Sequence, residues 1–264
     1  MRQTGRVDIP AQIASYVADW DYRLAWQSAN DALTWRMTSR DGQRRYLKCR
    51  PADAAVPLRA EAARLRWART AGLPVPAVLA ACSADRTEWL LTEEIPGADA
   101  TRSALRADPA TLIPLLAAGL RLIHATPTAD CPFANPIDRA LAQARRQVRD
   151  GLVGPDDLHQ EFRHLSHAAA LAELDRLRPD AEDLVVCHGD YCLPNVMISG
   201  GEVTGFLDLG ELCVADRWRD LAVATWSVTW NLGPGFEDLF LASYGIERDE
   251  RAQTFYRLLY DLES

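Results

Sequence analysis

Residues 187–211, CHGDYCLPNVMISGGEVTGFLDLGE, decide how the rest of the chain is read. Leu184, Val185 and Val186 run into His188-Gly189-Asp190, so a buried strand ends where the first carboxylate appears, and a loop presents Asp190. The apolar runs 196–198 and 203–207 flank Ser199-Gly200-Gly201-Glu202, the signal of a tight hairpin. Folding back brings Asn195 and Asp208, at opposite ends of the hairpin, close together. One amide oxygen and one carboxylate at that point suit a hard cation such as Mg2+, which keeps waters and takes phosphate oxygens as its remaining ligands. Asp190 is left free to act as a base. Each of the three taken alone reads as a solvated group on a surface hairpin, but their fixed order between strand and turn signals favours chemistry.

His188, Asp190 and Asn195 followed by Asp208 and Gly210 reproduce the order H-x-D-x-x-x-x-N then D-x-G of the protein-kinase catalytic and metal loops, with Leu209 where Phe is usual. Gly189 in place of arginine is the form that small-molecule kinases carry. From position 151 to the end, the runs GLVGPDDL, EDLVVCHGD, CLPN, CVADR and YRLL closely resemble the aminoglycoside 3'-phosphotransferases, antibiotic kinases of the protein-kinase-like superfamily. The earlier part resembles them more thinly. The resemblance implies an α+β, two-lobed protein-kinase-like fold: an N-lobe over 1–94, with an antiparallel sheet and one helix covering the nucleotide, and a mainly helical C-lobe over 95–264 carrying the catalytic and metal loops and the acceptor-binding helices. It implies ATP and Mg2+ as cofactors and transfer of the γ-phosphoryl group to an aminoglycoside hydroxyl of the 3' type, which would confer resistance. A metabolic kinase of the same fold acting on choline, homoserine or a sugar is the alternative, as is a catalytically silent nucleotide-binding module. A protein kinase is disfavoured because only a short stretch separates Asp208 from Asp216.

The chain has 264 residues, 48% of them apolar, enough for one large domain or two lobes around a substantial core. The first eight residues carry Arg2, Arg6 and Asp8 and no long apolar run, so neither a signal peptide nor a membrane span is indicated and a cytoplasmic location is expected. Six cysteines without a CxxC pair read as reduced packing residues rather than zinc ligands or a disulfide framework. His164 and His167, three apart, read as one solvated helix face. The net charge of −8 is uneven: from Asp180 onward 16 acidic and five basic side chains give −11. That end argues against nucleic acid and for a cationic small-molecule substrate, although a generic solvated acidic surface would carry the same charge. Monomer and homodimer both remain open.

Lys48 is the chain's single lysine, in the alternating segment Arg45-Tyr46-Leu47-Lys48-Cys49 after an Asp41-Gly42 turn. Arginine serves everywhere else, so a retained lysine points to a task that wants a compact point charge, which in kinases is holding the α- and β-phosphates. Its expected partner is Glu61, in the first turns of a helix over 58–70. Two strands, 23–27 and 33–37, surround Ser28-Ala29-Asn30-Asp31; the turn lacks glycine, and Ser28 and Asn30 are candidates to approach phosphate, although an ordinary hairpin turn fits equally. Residues 89–92 read as a buried strand that exits through Glu93-Glu94-Ile95-Pro96-Gly97. By resemblance this is the hinge, where backbone groups of Glu93 and Ile95 hold the adenine edge and Tyr46 lies against the adenine face; from the residues alone Tyr46 also reads as core.

Helices are expected over 110–125 and 137–149, and another is expected to start within 154–158. His188 and Asp220 read as supports of the catalytic loop, while Asp216 reads as either a support or a reactant. The family lines its acceptor pocket with carboxylates. By resemblance the candidates here are Asp156, Asp157, Glu161, Asp261, Glu263 and the C-terminal carboxylate of Ser264. Ser227 and Trp230 stand where the family's helix is acidic, and His159 and Gln160 replace a further acidic pair. The pocket is therefore expected to be less anionic and more aromatic than usual, with Trp226 and Trp230 available to stack on sugar rings and at least one of them in the core.

Overall fold

The computed structural model of the chain describes residues 9–27, 32–54, 56–154 and 158–263, and two compact units emerge, Met1–Ile95 and Pro96–Ser264. The first contains α1 (Ala11–Ala14), β1 (Asp21–Gln27), β2 (Leu33–Thr38), β3 (Arg44–Pro51), α2 (Leu58–Thr70), β4 (Val78–Ala84) and β5 (Thr87–Glu93). Its antiparallel sheet runs β1-β2-β3-β5-β4. The period of two along β3 sorts its side chains: Leu47 and Cys49 enter a core with Trp35, Met37, Trp89 and Leu91, closed by Ile13 and Val17, whereas Tyr46 and Lys48 take the opposite face. Helix α2 follows Pro57 and buries Leu58, Ala62, Leu65 and Ala68, a three-to-four spacing that lays one stripe against β3, β4 and β5.

The second unit contains β6 (Ala98–Asp99), α3 (Pro109–His124), α4 (Ile137–Arg149), α5 (His167–Leu177), β7 (Leu184–Cys187), β8 (Val196–Ser199), β9 (Glu202–Phe206), β10 (Cys213–Asp216), α6 (Trp218–Leu232), α7 (Glu237–Tyr244) and α8 (Glu250–Glu263). The hairpin β8–β9 turns at Gly200-Gly201 and takes β6 as a third strand, while β7 pairs with β10. Every residue of α6 from Trp218 to Val228 is buried, which fits a central helix packed by α7 and α8. Among the described residues no helix is long and apolar enough to cross a membrane. One expected element is corrected: residues 158–166 form turns, and the next helix starts only at His167, where Ser166 Oγ accepts the Ala169 N–H at 3.2 Å. His164 therefore precedes that helix and is exposed, while His167 contacts the Gly154 carbonyl at 3.1 Å, so the two share no helix face.

The loop after β7 is fastened by the first turn of α6. Asp220, wholly buried there, accepts the backbone N–H groups of His188 at 2.6 Å and Gly189 at 2.7 Å, and lies 3.0 Å from His124 Nε2 at the end of α3. Burial alone would raise its pKa; the hydrogen bond and charge interaction with His124 and the Gly189 N–H outweigh that and hold it below the ordinary carboxylate value. Gly189 has φ +91°, and a Cβ there would meet Glu211 Cβ at 2.4 Å and the Glu211 carbonyl oxygen at 2.6 Å, so an arginine cannot occupy the position. Next to the loop, Tyr191 donates to the Leu116 carbonyl at 2.8 Å, and a Cβ on Gly119 would come within 2.8 Å of its hydroxyl.

Two outcomes are expected. Gly119→Ala forces Tyr191 or α3 to shift at a cost of about 1–3 kcal/mol, read as a lower thermal unfolding midpoint. Asp220→Asn brings an amide N–H toward backbone donors and costs about 3 kcal/mol at neutral pH. Because the folded pKa of Asp220 is depressed, its contribution is complete above the unfolded value of about 3.9 and is lost as pH falls through the lower folded value. The gap in unfolding midpoint between wild type and Asp220→Asn should therefore narrow below about pH 4.

Candidate active site

Asp190 directly follows the Asp220-anchored backbone of His188 and Gly189. Asn195 Nδ2 donates to both the Asp190 backbone carbonyl and Asp190 Oδ2, each at 3.0 Å. Both partners are acceptors, which assigns the amide nitrogen to that side and leaves Oδ1 as the atom that can ligate a cation. The backbone N–H of Leu207 donates to the Asn195 carbonyl at 2.9 Å, and Val196 pairs with Phe206, so the hairpin sets Asp208 immediately beyond Asn195. Asp208 is exposed and sits in the left-handed region at φ 58° and ψ 52°, a conformation that Asp tolerates better than most side chains. The oxygen donors of Asn195 and Asp208 form a hard set of the kind that fits Mg2+.

His188 ties this hairpin to the catalytic loop. Its Nδ1 accepts the Asp190 N–H at 3.3 Å and its Nε2 donates to the Leu207 carbonyl at 2.9 Å, a pairing that requires the proton on Nε2. His188 and Asp220 are supports. Asp216 resolves the same way: buried, it accepts the Asp183 N–H and the Trp218 N–H, both at 2.8 Å, holding the start of α6. Asp190 has a second side-chain partner besides Asn195. Tyr260 Oη donates to its Oδ1 at 3.1 Å, from α8, 70 positions downstream.

In the first unit Lys48 Nζ lies 2.7 Å from Glu61 Oε1, with Glu61 buried in the first turn of α2. Tyr46 shares the Lys48 face and is half-buried, outside the core that takes Leu47 and Cys49. The Glu93 N–H donates to the Ala77 carbonyl at 3.0 Å, so any contact of this residue's backbone with a base edge falls to its carbonyl. Ile95, half-buried, is the last residue of the unit. Ser28, Asn30, Asp156, Asp157 and Ser264 lie outside the described residues.

The expected acceptor residues divide into two groups. Trp226 is buried, and Trp230, one turn on, is 54% exposed. Their rings stack at 5.2 Å and 27°, and His159 stacks on Trp230 at 4.7 Å and 15°. The described carboxylates among them, however, already have partners within the unit. Glu161 Oε2 accepts from Trp226 Nε1 at 3.0 Å and from Arg257 at 3.4 Å. Asp261, buried, accepts the His159 N–H at 2.8 Å and also contacts His159 Nδ1. Glu263, buried, pairs with Arg219 at 2.7 Å. Ser227 is buried as well, and its Oγ accepts the Leu193 N–H at 2.8 Å. Ser227, Asp261 and Glu263 are therefore corrected from acceptor contacts to internal braces, because their polar atoms are enclosed and already paired.

Sequence reading missed Tyr260 as a neighbour of Asp190 and His159 as the third ring of the aromatic stack. No local pattern marks either, since each contact joins a helix to a segment far away in the chain. The one available signal was that Tyr260 falls directly after the YRLL run.

Comparison with known proteins agrees with this geometry. The model of the phosphotransferase enzyme family matches residues 25–256. An aminoglycoside 3'-phosphotransferase of Streptomyces fradiae is 41% identical over 217 residues, covering 79% of this chain and 81% of that protein. Among solved structures, an aminoglycoside-3'-phosphotransferase of type VIII superposes with a TM-score of 0.85 at 33% identity, covering 94% of this chain and 95% of its own. Aminoglycoside phosphotransferase APH(3'')-Id from Streptomyces rimosus, in complex with ADP and streptomycin, gives 0.77 at 31% identity with 96% of each chain covered. The protein-kinase-like α+β fold expected from the catalytic-loop order is thus the fold found, and the chain belongs to the phosphotransferase enzyme family.

Proposed function

We propose that this protein transfers the γ-phosphoryl group of ATP to a hydroxyl of an aminoglycoside, of the 3' type. The observation that carries the reading is the Asp190–Asn195 pair on a loop pinned by Asp220, with Asp208 set beside it by the hairpin. The relatives named as 3'-phosphotransferases and the ADP and streptomycin complex of a structural neighbour support the substrate class and the nucleotide.

In this mechanism Asp190 orients the acceptor hydroxyl and takes its proton as the oxygen attacks the γ-phosphorus; the new P–O bond forms while the bond to the β-phosphate oxygen breaks, and ADP departs. Lys48, held by Glu61, neutralises the α- and β-phosphates. Asn195 Oδ1 and Asp208 would hold Mg2+, which when bound neutralises charge on the phosphate oxygens. The rest is positioning and electrostatics. Tyr46 would lie against the adenine, with the Glu93 carbonyl and the Ile95 backbone at its edge. Ser28 and Asn30 would approach the phosphates, and Asp156 and Asp157 would supply the acidic part of the acceptor site.

The acceptor wall is the distinctive part. Glu161 and Asp261 are committed to internal partners, and Trp230 is exposed above a stacked Trp226 and His159. Such a wall favours an aminoglycoside or aminocyclitol with an uncharged ring face, held by stacking and cation–π contact rather than by many carboxylates.

A panel including kanamycin- and streptomycin-type acceptors, with product mapping, should give unequal turnover and a phosphate on the 3' hydroxyl. Equal strong activity on every polycationic member would remove the aromatic-wall reading, and phosphorylation only of choline, homoserine or a sugar would replace the antibiotic assignment. Asp190→Asn should lower kcat by about 10²–10⁴-fold. Trp230→Ala should raise acceptor KM by about 5–10-fold, leave the KM for ATP unchanged and leave the unfolding midpoint in place.

A further inference from the structure

The reach of α8 into the catalytic loop deepens the reading of Asp190 as the proton acceptor, and rests on it. We propose that Tyr260 is a positioning residue that fixes the Asp190 carboxylate in the orientation needed to receive the acceptor proton. The terminal torsion of an aspartate is broad, so a single donor leaves its carboxylate free to swing. Here each oxygen has its own donor: Asn195 Nδ2 on Oδ2 at 3.0 Å and Tyr260 Oη on Oδ1 at 3.1 Å. The two donors come from separate elements, the loop itself and α8, and together they set the plane of the group.

The phenol suits this task in three ways. Its location is fixed without help from substrate, since the Tyr260 ring meets Trp226 edge-on at 6.4 Å and 80°, and Trp226 is in turn held by Glu161 at 3.0 Å and lies under the Arg257 guanidinium at 5.3 Å. Its proton stays in place, because burial and then the adjacent Asp190 charge push the phenol well above the ordinary tyrosine value. It also carries one hydroxyl proton, whereas a carboxylate oxygen has two lone pairs, so the second lone pair of Oδ1 can accept from the substrate hydroxyl. The aromatic row that starts at exposed Trp230 and His159 and passes through Trp226 therefore ends on the base. One row of rings would both present the acceptor and orient the group that deprotonates it.

Tyr260→Phe keeps the ring and its edge contact and removes only the O–H. The expected result is a kcat about tenfold lower, with the KM values for acceptor and ATP within about twofold and the unfolding midpoint within about 2 °C. A purely structural role would move the midpoint, and a role in acceptor binding alone would move acceptor KM. Unchanged kcat, or a change confined to acceptor KM, would overturn the assignment. A double-mutant cycle gives the second readout: in an Asp190→Asn background, Tyr260→Phe should leave the residual rate unchanged, and an equal loss in both backgrounds would count against it. Full turnover by Asp190→Asn alone would remove Asp190 as the base and Tyr260 with it. Loss of turnover in Asp190→Asn with full kcat in Tyr260→Phe would remove only the tyrosine.

Discussion

Everything in the second unit that bears on chemistry hangs from one buried carboxylate. Asp220 accepts two consecutive backbone N–H groups, those of His188 and Gly189, and faces His124. A carboxylate enclosed this completely is tolerated only when its oxygens are satisfied, so the loop cannot drift without leaving a buried charge unpaired. The constraint propagates outward. It sets the left-handed turn at Gly189, brings Glu211 so close that no side chain fits there, and delivers Asp190, the next residue, at a defined place. Helix α6, whose first turn carries Asp220, also supplies Ser227 Oγ to the Leu193 N–H, so one rigid helix braces the loop at two points.

The strongly acidic end of the chain lies beside a cluster of aromatic rings, Trp226, Trp230 and His159. Acidic side chains of the second unit are largely consumed by arginines and histidine: Glu237 by Arg248 and Arg257, Glu263 by Arg219, Asp261 by His159, and Glu161 by Arg257 and Trp226. Net charge read along the chain therefore overstates the field that a cationic ligand would feel at these carboxylates, because pairing within the fold cancels much of it. What remains in their place is polarizable ring surface, with Trp230 outermost.

The fold class and most of the elements were legible before any coordinates. Apolar runs and a Gly-Gly turn around 184–207 anticipated β7 and the β8–β9 hairpin, since these are local signals. Helix 58–70 and the Lys48–Glu61 pair were equally readable, because a strand lysine and a helix glutamate in adjacent elements need only local geometry to meet. Reading failed where the deciding partner was distant. The helix expected from 154–158 is absent from 158 onward, where His159 instead bonds to Asp261 of α8. Ser227, Asp261 and Glu263 looked like pocket groups because burial is not a property of a residue type.

The residue order in 187–211, together with the resemblance carried by the runs from 151 to the end, was enough to point to the family and the reaction type, because those motifs are contiguous in sequence. Tertiary structure alone decided which of the described carboxylates are spent internally, why position 189 must be glycine, and that a tyrosine 70 residues away reaches Asp190. The physical reason is common to all three: they depend on what packs against a side chain, and α3, α6 and α8 come together only when the chain has folded.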